Sequence, residues 1–519
     1  MRRTLLAAFA MLLAAVPAAG AAAEPAAQEA QVRAFWVDAF NRGIYDADQV
    51  AELVADATAA NANTLFVQVG RRFDCFCNDA LYPRTDAAIA PAPYDPLAEV
   101  VEQAHAAGIE VHAWINATTL WNQANPPSSP DHAFNRHGPT AEGADRWLNR
   151  RADGAELIGN NAYIDPANPD AVDYVVAGVR SIIDNYDVDG VNFDYIRYPD
   201  FNSGEFVNDW GYTDVALARF HAETGRDDVP AIDDPEWSEW RRDQVTALVR
   251  KLYLGAFDAD PDVAVSVNAT TYAYGPQSYG GWEGARPFAN VLQDWRAWME
   301  EGIVDLNVAM NYKREWVPAQ VQMFDEWTEA LADFQYGRHA VNGPALYLND
   351  VEHSIAQARR TFEPSAAGNA LAGWSGYSYA NPSQTATAGS AAVKDAERDA
   401  LIAALTTDDP EGASPLFAEP AAVPDMPWKT APTTGHLAGT VTVDGDVADQ
   451  VEVTVRPLGH GGEVRTALTD GSGWFGLVDL APGRYQVRVD DSGVEGPRNR
   501  VVTVTAGDLH EVAIHAKSG

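Results

Sequence analysis

The sequence predicts an α/β chain, a (β/α)8 barrel followed by a small all-β sandwich. Three observations predict it. From about residue 33 to 405, eight short apolar segments alternate with helical patterns, an order that calls for a parallel sheet with helices packed outside it. The longest insertion, residues 117–168, follows the third strand, on the side where such a barrel carries its active face. From Gly435 onward the segments become short, turn-marked and alternately apolar and polar, as in a sandwich.

Taken in order, residues 1–23 read as a secretory leader: Arg2 and Arg3, an apolar run from Leu5 to Val16, then Ala21-Ala22-Ala23 before Glu24. The paired arginines leave a twin-arginine export route open. That apolar run is too short to be preferred as a membrane span, and no later segment approaches the roughly 20 apolar residues needed. The expected location is secreted or periplasmic, at the cell envelope. The barrel is expected over 30–405. Its candidate strands are RAFWVDAF (33–40), TLFVQVG (64–70), EVHAWIN (110–116), GVNFDYIRYP (190–199), AVSVNAT (264–270), VDLNVAMNY (304–312), PALYLND (344–350) and NALAGWSGYSY (369–379). Helical stretches such as DPLAEVVEQAHAAG open on Asp or Pro and close on Gly or Asn, residues suited to the two ends of a helix. Residues 406–434, rich in Pro, Ala and acid, read as a semi-extended linker between two independent cores. The sandwich is expected over 435–519.

Composition narrows the function. The 519-residue chain carries 74 acidic and 36 basic residues, a formal charge of −38, and such a field repels polyphosphates. Nucleic acid is therefore excluded as an expected partner. The two cysteines, Cys75 and Cys77, are compatible with a disulfide or with free thiols; two ligands alone make a poor metal site. No metal and no cofactor are expected.

Strand alternation then sorts side chains by face. It turns Val111, Ala113 and Ile115 toward the helices and His112, Trp114 and Asn116 into the barrel. By the same count Trp36, Asp38, Gln68, Asn192, Asp194, Ser266, Asn268, Tyr347 and Asn349 point inward. Tyr312 and Trp374, on the sixth and eighth strands, join this candidate substrate-binding set. Aromatic rings with amides and carboxylates, and few cations, suit sugar faces and hydroxyls, so a polysaccharide or oligosaccharide is the expected partner. Glycoside hydrolysis commonly uses two carboxyl groups, one protonating the leaving oxygen and one acting as nucleophile or activating water. Asp194 is the first, as nucleophile or base. Asp38, Asp74, Glu283, Glu315 and Asp350 all lie at or after strand ends; Glu315 is chosen as the acid because its loop is short, the alternative for it being a surface ion pair with Lys313 or Arg314. The rival class is a non-catalytic glycan-binding or scaffold protein, which needs no second carboxylate.

The stretches RAFWVDAFNRGIYDADQV, NTLFVQVGRRFDCF, YDPLAEVVEQAHAAGIEVHAWIN, YIDPANPDAVDYVV and YDVDGVNFDYIRYP resemble the glycosyl-hydrolase-like family ten of exported bacterial proteins. The resemblance implies a (β/α)8 barrel, a carbohydrate substrate and an envelope role, with peptide-free peptidoglycan strands as a candidate. It places the family's fourth-strand acid on Asp194, with Arg197 and Tyr198 at adjoining positions. The family's second-strand Q-V-R-x-x-x-D falls on Gln68 to Asp74, where Gly70 stands in place of arginine and Arg71 or Arg72 can substitute. DGVNFDYI also resembles the D-G-x-D-x-D-x-E motif of chitinase-like barrels, but Ile196 replaces the acid glutamate and Asn192 the first inner Asp. That glutamate's chemistry is thus excluded. The string TDGSGWFGLVDLAPGRYQVRV resembles the carboxypeptidase-regulatory-like sandwich, which implies a spacer or docking unit. Loss of Arg2 and Arg3 takes the charge to about −40, so neutral or amino-sugar glycans are expected to bind better than strongly anionic ones.

Overall fold

The computed structural model describes residues 30–199, 208–408, 414–459, 462–489, 494–495 and 499–519. The leader expected at 1–23 lies outside the described residues. Eight parallel strands close into a barrel in sequential order: β1 (Val32–Val37), β2 (Thr64–Gly70), β3 (Glu110–Asn116), β4 (Gly190–Asp194), β5 (Ala264–Thr270), β6 (Leu306–Asn311), β7 (His339–Pro344) and β8 (Gly373–Tyr377). The main helices returning between and after them are α1 (Ala47–Ala59), α2 (Pro96–Ala106), α3 (Pro169–Asn185), α4 (Pro235–Ala259), α5 (Trp295–Glu301), α6 (Pro318–Asp333), α7 (Val351–Thr361) and α8 (Ala391–Thr406). The side chains of Asp46, Asp95, Asn168, Asp234, Asp294 and Asp350 accept from backbone amides of the first turns of six of them, satisfying donors that the helix itself cannot.

Alternation sets the two faces of the barrel wall. Val111, Ala113 and Ile115 pack outward with the helices, whereas Val32, Ala34, Trp36, Phe66, Trp114, Leu306, Val308 and Val341 fill the interior. Trp36 has no exposed surface, and the approach of β7 depends on Gly343. A Cβ there would lie 2.3 Å from the Trp36 ring, inside any tolerable contact.

The seventh strand differs from the expected 344–350. The strand is HAVNGP, and Leu346–Leu348 form a 3-10 turn above it. Asn342 makes this polar-looking segment a strand because its amide donates to the hydroxyls of Thr328 and Thr361 on the helix side. Tyr347 and Asn349 therefore belong to the loop after β7. Trp374 faces outward, edge-on to Phe35 and Phe417 at 5.7 and 5.8 Å, because Ser375 and Tyr377 take the inner positions of β8.

The segment expected to be a linker is packed instead. Phe417 is buried under the Arg33 guanidinium and beside Trp374. The Gln31 amide donates to the Ala422 carbonyl, and the Asn63 side chain to that of Ala421. Val423 abuts the interior cluster from below, and the Trp428 indole donates to Asp305 at 2.7 Å. Residues 414–431 thus form a strap across the foot of the barrel, held by apolar groups scattered among its prolines.

The sandwich has one sheet built on β9 (Gly435–Val443), which pairs with β12 (Trp474–Leu480) and β15 (Leu509–Ser518). The second contains β10 (Glu452–Pro457), β11 (Arg465–Leu468), β13 (Gly483–Val489) and β14 (Asn499–Val504). Leu437, Val453, Phe475, Val487 and Ile514 lie in its core. It leans on the flank of the barrel through Arg219–Asp449, Lys251–Asp470 and Arg338–Asp479 ion pairs at 2.6, 2.9 and 2.7 Å, the cations coming from the helix Asp214–Thr224, from α4 and from the turn before β7. No helix among the described residues is long and apolar enough to cross a membrane.

Candidate active site

A cavity of about 630 Å³ opens at the C-terminal mouth of the barrel. Strand ends supply Gln68, Trp114, Asn116 and Asp194, and the loops above β6 and β7 supply Tyr312, Lys313, Arg314 and Tyr347. Tyr377 comes from the end of β8. The insertion after β3 folds into a three-stranded sheet (Thr119–Asn122, Leu157–Ile158, Asn161–Tyr163) and contributes Thr119, Asn161 and Tyr163 to the wall.

Asp194 is buried at the floor. Its carboxylate accepts from the Tyr195 amide at 2.7 Å, a contact set by the left-handed backbone of Tyr195 at φ 49°. That conformation is costly for a residue with a side chain. The preceding strand end is pinned because the Ala117 amide donates to the Asp194 carbonyl at 2.8 Å. Burial lifts the Asp194 pKa above the usual carboxylate value, opposed in order by Arg197, the Tyr195 amide, Asn268 and Trp114. The Trp114 indole N–H approaches the carboxylate without completing a well-aligned hydrogen bond. Arg197 lies on the Tyr195 ring at 4.6 Å.

Around this centre the amides form a frame. Gln68 accepts from the Ala39 amide and donates to Asn116, which donates to the Arg71 carbonyl, tying the tops of β1, β2 and β3 together. Asn192 donates to Ser266 at 2.9 Å deeper in the barrel, and His112 lies edge-on to Phe66 at 5.1 Å. Trp36 underlies the cavity, touching Tyr312 and Tyr377. Asp38 accepts from the Phe40 amide and from Asn41. Asp74 shapes the turn after β2, accepting from the amides of Arg71 and Arg72 and from Thr85. Cys75 and Cys77, next in sequence, are disulfide-bonded.

Several expected site residues stand elsewhere. Glu315 does not line the cavity: Arg360 of α7 donates to both of its oxygens at 2.7 Å, and its amide donates to the buried Asn349. Arg71 points to the Ala39 carbonyl and Thr85, so of the two arginines after β2 it is Arg72 that lines the cavity. The Tyr198 hydroxyl donates to Asp165 behind the cavity wall, and Trp374 lies on the outer face. Asp350 caps α7. Ile196, in place of the chitinase-like glutamate, is fully buried. Phe40, Tyr163, Tyr195, Tyr272, Lys313, Arg314 and Tyr377 line the cavity without having been assigned a binding role from sequence. Lys313 carried one signal, as one of five lysines, placed at the end of an apolar strand. Its ammonium is buried, donating to the Thr271 carbonyl at 2.7 Å, and desolvation lowers its pKa to about 7.

The expectation of few cations fails. Among the described residues the lining holds one carboxylate, Asp194, against Arg72, Arg197, Lys313 and Arg314. No three His, Cys, Asp or Glu side chains among the described residues converge as a metal site.

The glycosyl hydrolase-like 10 profile matches residues 31–336, more than half of the chain. The chain belongs to the glycosyl hydrolase-like 10 family. A carboxypeptidase regulatory-like domain matches residues 436–517. This glycosyl hydrolase-like 10 protein is 26% identical over 441 residues to the glycosyl hydrolase YngK of Bacillus subtilis, covering 78% of this chain and 76% of that one. It is 25% identical over 252 residues to the glycosyl hydrolase DigH of Escherichia coli K12, covering 47% of this chain and 53% of that one. Among solved structures, the PgaB (BpsB) glycoside hydrolase domain of Bordetella bronchiseptica superposes with a TM-score of 0.50 at 16% identity, covering 72% of this chain and 99% of that one. At that identity the likeness bears on the barrel fold alone.

Proposed function

We propose that this chain is an exported glycoside hydrolase acting on an envelope or extracellular glycan, with Asp194 as its reacting carboxylate. The observation that carries the reading is a buried carboxylate at the end of β4, on the floor of an aromatic-walled cavity, in a glycosyl hydrolase-like chain. With Glu315 held by Arg360, the proton-donor role passes to Asp194, whose burial favours its protonated form. Asp194 gives its proton to the glycosidic oxygen as the bond to the anomeric carbon breaks. Attack on that carbon falls to the acetamido oxygen of the substrate, since glycosidases of this kind dispense with a carboxylate nucleophile; water then opens the cyclic intermediate, and its proton returns to the Asp194 carboxylate. Peptide-free peptidoglycan strands, whose sugars carry acetamido groups, are the candidate substrate.

The single carboxylate of the described lining also favours a second reading, a glycan-binding protein without turnover. Incubation with a panel of envelope and storage glycans, followed by mass spectrometry of the products, separates the two. Cleavage that vanishes in Asp194→Asn supports the hydrolase; saturable binding with no product from any glycan supports the binding protein.

A further inference from the structure

The chain as a whole has 74 acidic residues for 36 basic ones, so a cavity lined at random would hold about two acids per base. This one inverts the ratio, with four bases and one acid among the described residues. Three of those bases, Arg72, Lys313 and Arg314, have no carboxylate partner within ion-pair distance among the described residues. Elsewhere in the chain half-buried cations are commonly paired, as Arg146, Arg250, Arg360 and Arg398 are. An unpaired ammonium at the Lys313 site is costly to bury, and among the described residues its hydrogen-bonding partners are the oxygens of Thr271.

Their placement is ordered. Arg72 follows β2, and Lys313 and Arg314 follow β6, four strands away around the closed barrel. Asp194 ends β4, halfway between them. A glycan laid from the β2 side to the β6 side therefore passes the β4 side, where the proposed reacting carboxylate lies, and meets a cation at each end. Field lines from such a cluster in a walled cavity raise the local concentration of anions, even against an overall negative surface. The Lys313 backbone is also immobilised: Asn349 and Gln357 both donate to its carbonyl, at 3.0 and 3.1 Å. The cation thus sits on a rigid support, as recognition of a fixed anion requires.

From this juxtaposition we infer that Lys313 and Arg314 form a subsite for a sugar carboxylate, with Arg72 meeting a second one across the mouth. The inference rests on the hydrolase reading for the location of the site and names the class of glycan it takes. The shared chemistry is a carboxylate fixed to a pyranose, supplied either by a lactyl ether, as in peptide-free peptidoglycan strands, or by a uronic acid. It replaces the neutral-glycan preference expected from net charge.

The test measures binding to the full-length Asp194→Asn protein, so that turnover does not interfere. The probes are peptide-free peptidoglycan strands, oligogalacturonate, each of these after carbodiimide amidation of its carboxyls, and neutral chito-oligosaccharides. At least one carboxylated probe should bind about tenfold or more tighter than its amidated form. That difference should shrink between about 0.01 and 0.3 M salt, whereas chito-oligosaccharide binding stays level. The preference of one carboxylated glycan over the other identifies the source of the carboxylate. Lys313→Met and, independently, Arg314→Gln on the half-exposed rim should each collapse the ratio toward one. Equal binding of amidated and carboxylated probes, or a loss in both variants that is the same for every probe, would overturn the subsite. Turnover by the unsubstituted protein is scored apart. Cleavage indifferent to carboxyls sinks the subsite and leaves the hydrolase; salt-sensitive, carboxyl-dependent binding with no cleavage does the reverse.

Discussion

Asp194 stands under opposing influences, burial favouring the acid form and Arg197, the Tyr195 amide, Asn268 and Trp114 favouring the anion. Burial wins, so a proton donor at this position works below its raised pKa. Activity should therefore decline as pH rises through that value, above the ordinary carboxylate range; a pH–kcat/KM profile with the opposite limb would make Asp194 a nucleophile instead. Asp194→Asn should keep the fold and lose turnover by about a hundredfold or more, and a remaining rate above about a tenth would exclude it as the reacting group. Lys313 yields a stability prediction with a sign of its own. Its folded pKa, about 7, lies below the usual lysine value near 10.4. Between those values the unfolded chain holds a proton that the folded chain lacks, so stability from this group rises with pH over that window. Below about 7 the buried charge weighs in full. Lys313→Met should accordingly raise the melting temperature at pH 6 and show a smaller gain at pH 9. Glu315→Gln should affect substrates with good and poor leaving groups alike, because Arg360 keeps Glu315 from the chemistry; sparing of good leaving groups would return it to the acid role.

At the scale of elements, β7 is the strand most dependent on one atom's absence. Gly343→Ala should cost about 1–3 kcal/mol, read as a lower melting temperature, because the Trp36 ring fills the space and neither strand can retreat. The same strand shows what sequence patterning reaches. The bounds of β2, β3 and β5 were legible as Thr64–Gly70, Glu110–Asn116 and Ala264–Thr270, because each carries apolar residues at alternate, helix-facing positions (Leu65, Val67 and Val69; Val111, Ala113 and Ile115; Val265, Val267 and Ala269) between clear breaks in the pattern. HAVNGP was passed over because Asn, Gly and Pro read as turn residues, whereas Asn342 gains partners from α6 and α7 that only the closed barrel brings near. In the site, Asp194, Trp114 and Asn116 were legible from inward positions at strand ends. Glu315 was misplaced because Arg360, 45 residues on, takes its charge in a contact invisible to local pattern. Trp374 looked like a cleft aromatic, but its neighbour Ser375 has the inward parity and Tyr377 the cleft position. The mouth cations were missed because net charge averages over a surface that the cavity does not share.

For the whole molecule, the strap makes the two units unequal in independence. A chain stopped near Leu405 loses Phe417, Val423 and Trp428 and exposes the foot of the barrel. It should melt several degrees below a chain stopped at Thr434, measured by circular dichroism, since burial of two or three large apolar side chains contributes about 1.5–3 kcal/mol each. Equal melting of the two would return residues 406–434 to the status of a linker. The flank contacts have a common polarity: in all three ion pairs the cation, Arg219, Lys251 or Arg338, belongs to the barrel and the anion, Asp449, Asp470 or Asp479, to the sandwich. The interface is therefore keyed rather than generic. A related sandwich grafted onto this barrel without aspartates at those three places would strand basic groups against its own surface, and a chimera between family members must carry the key along with the fold.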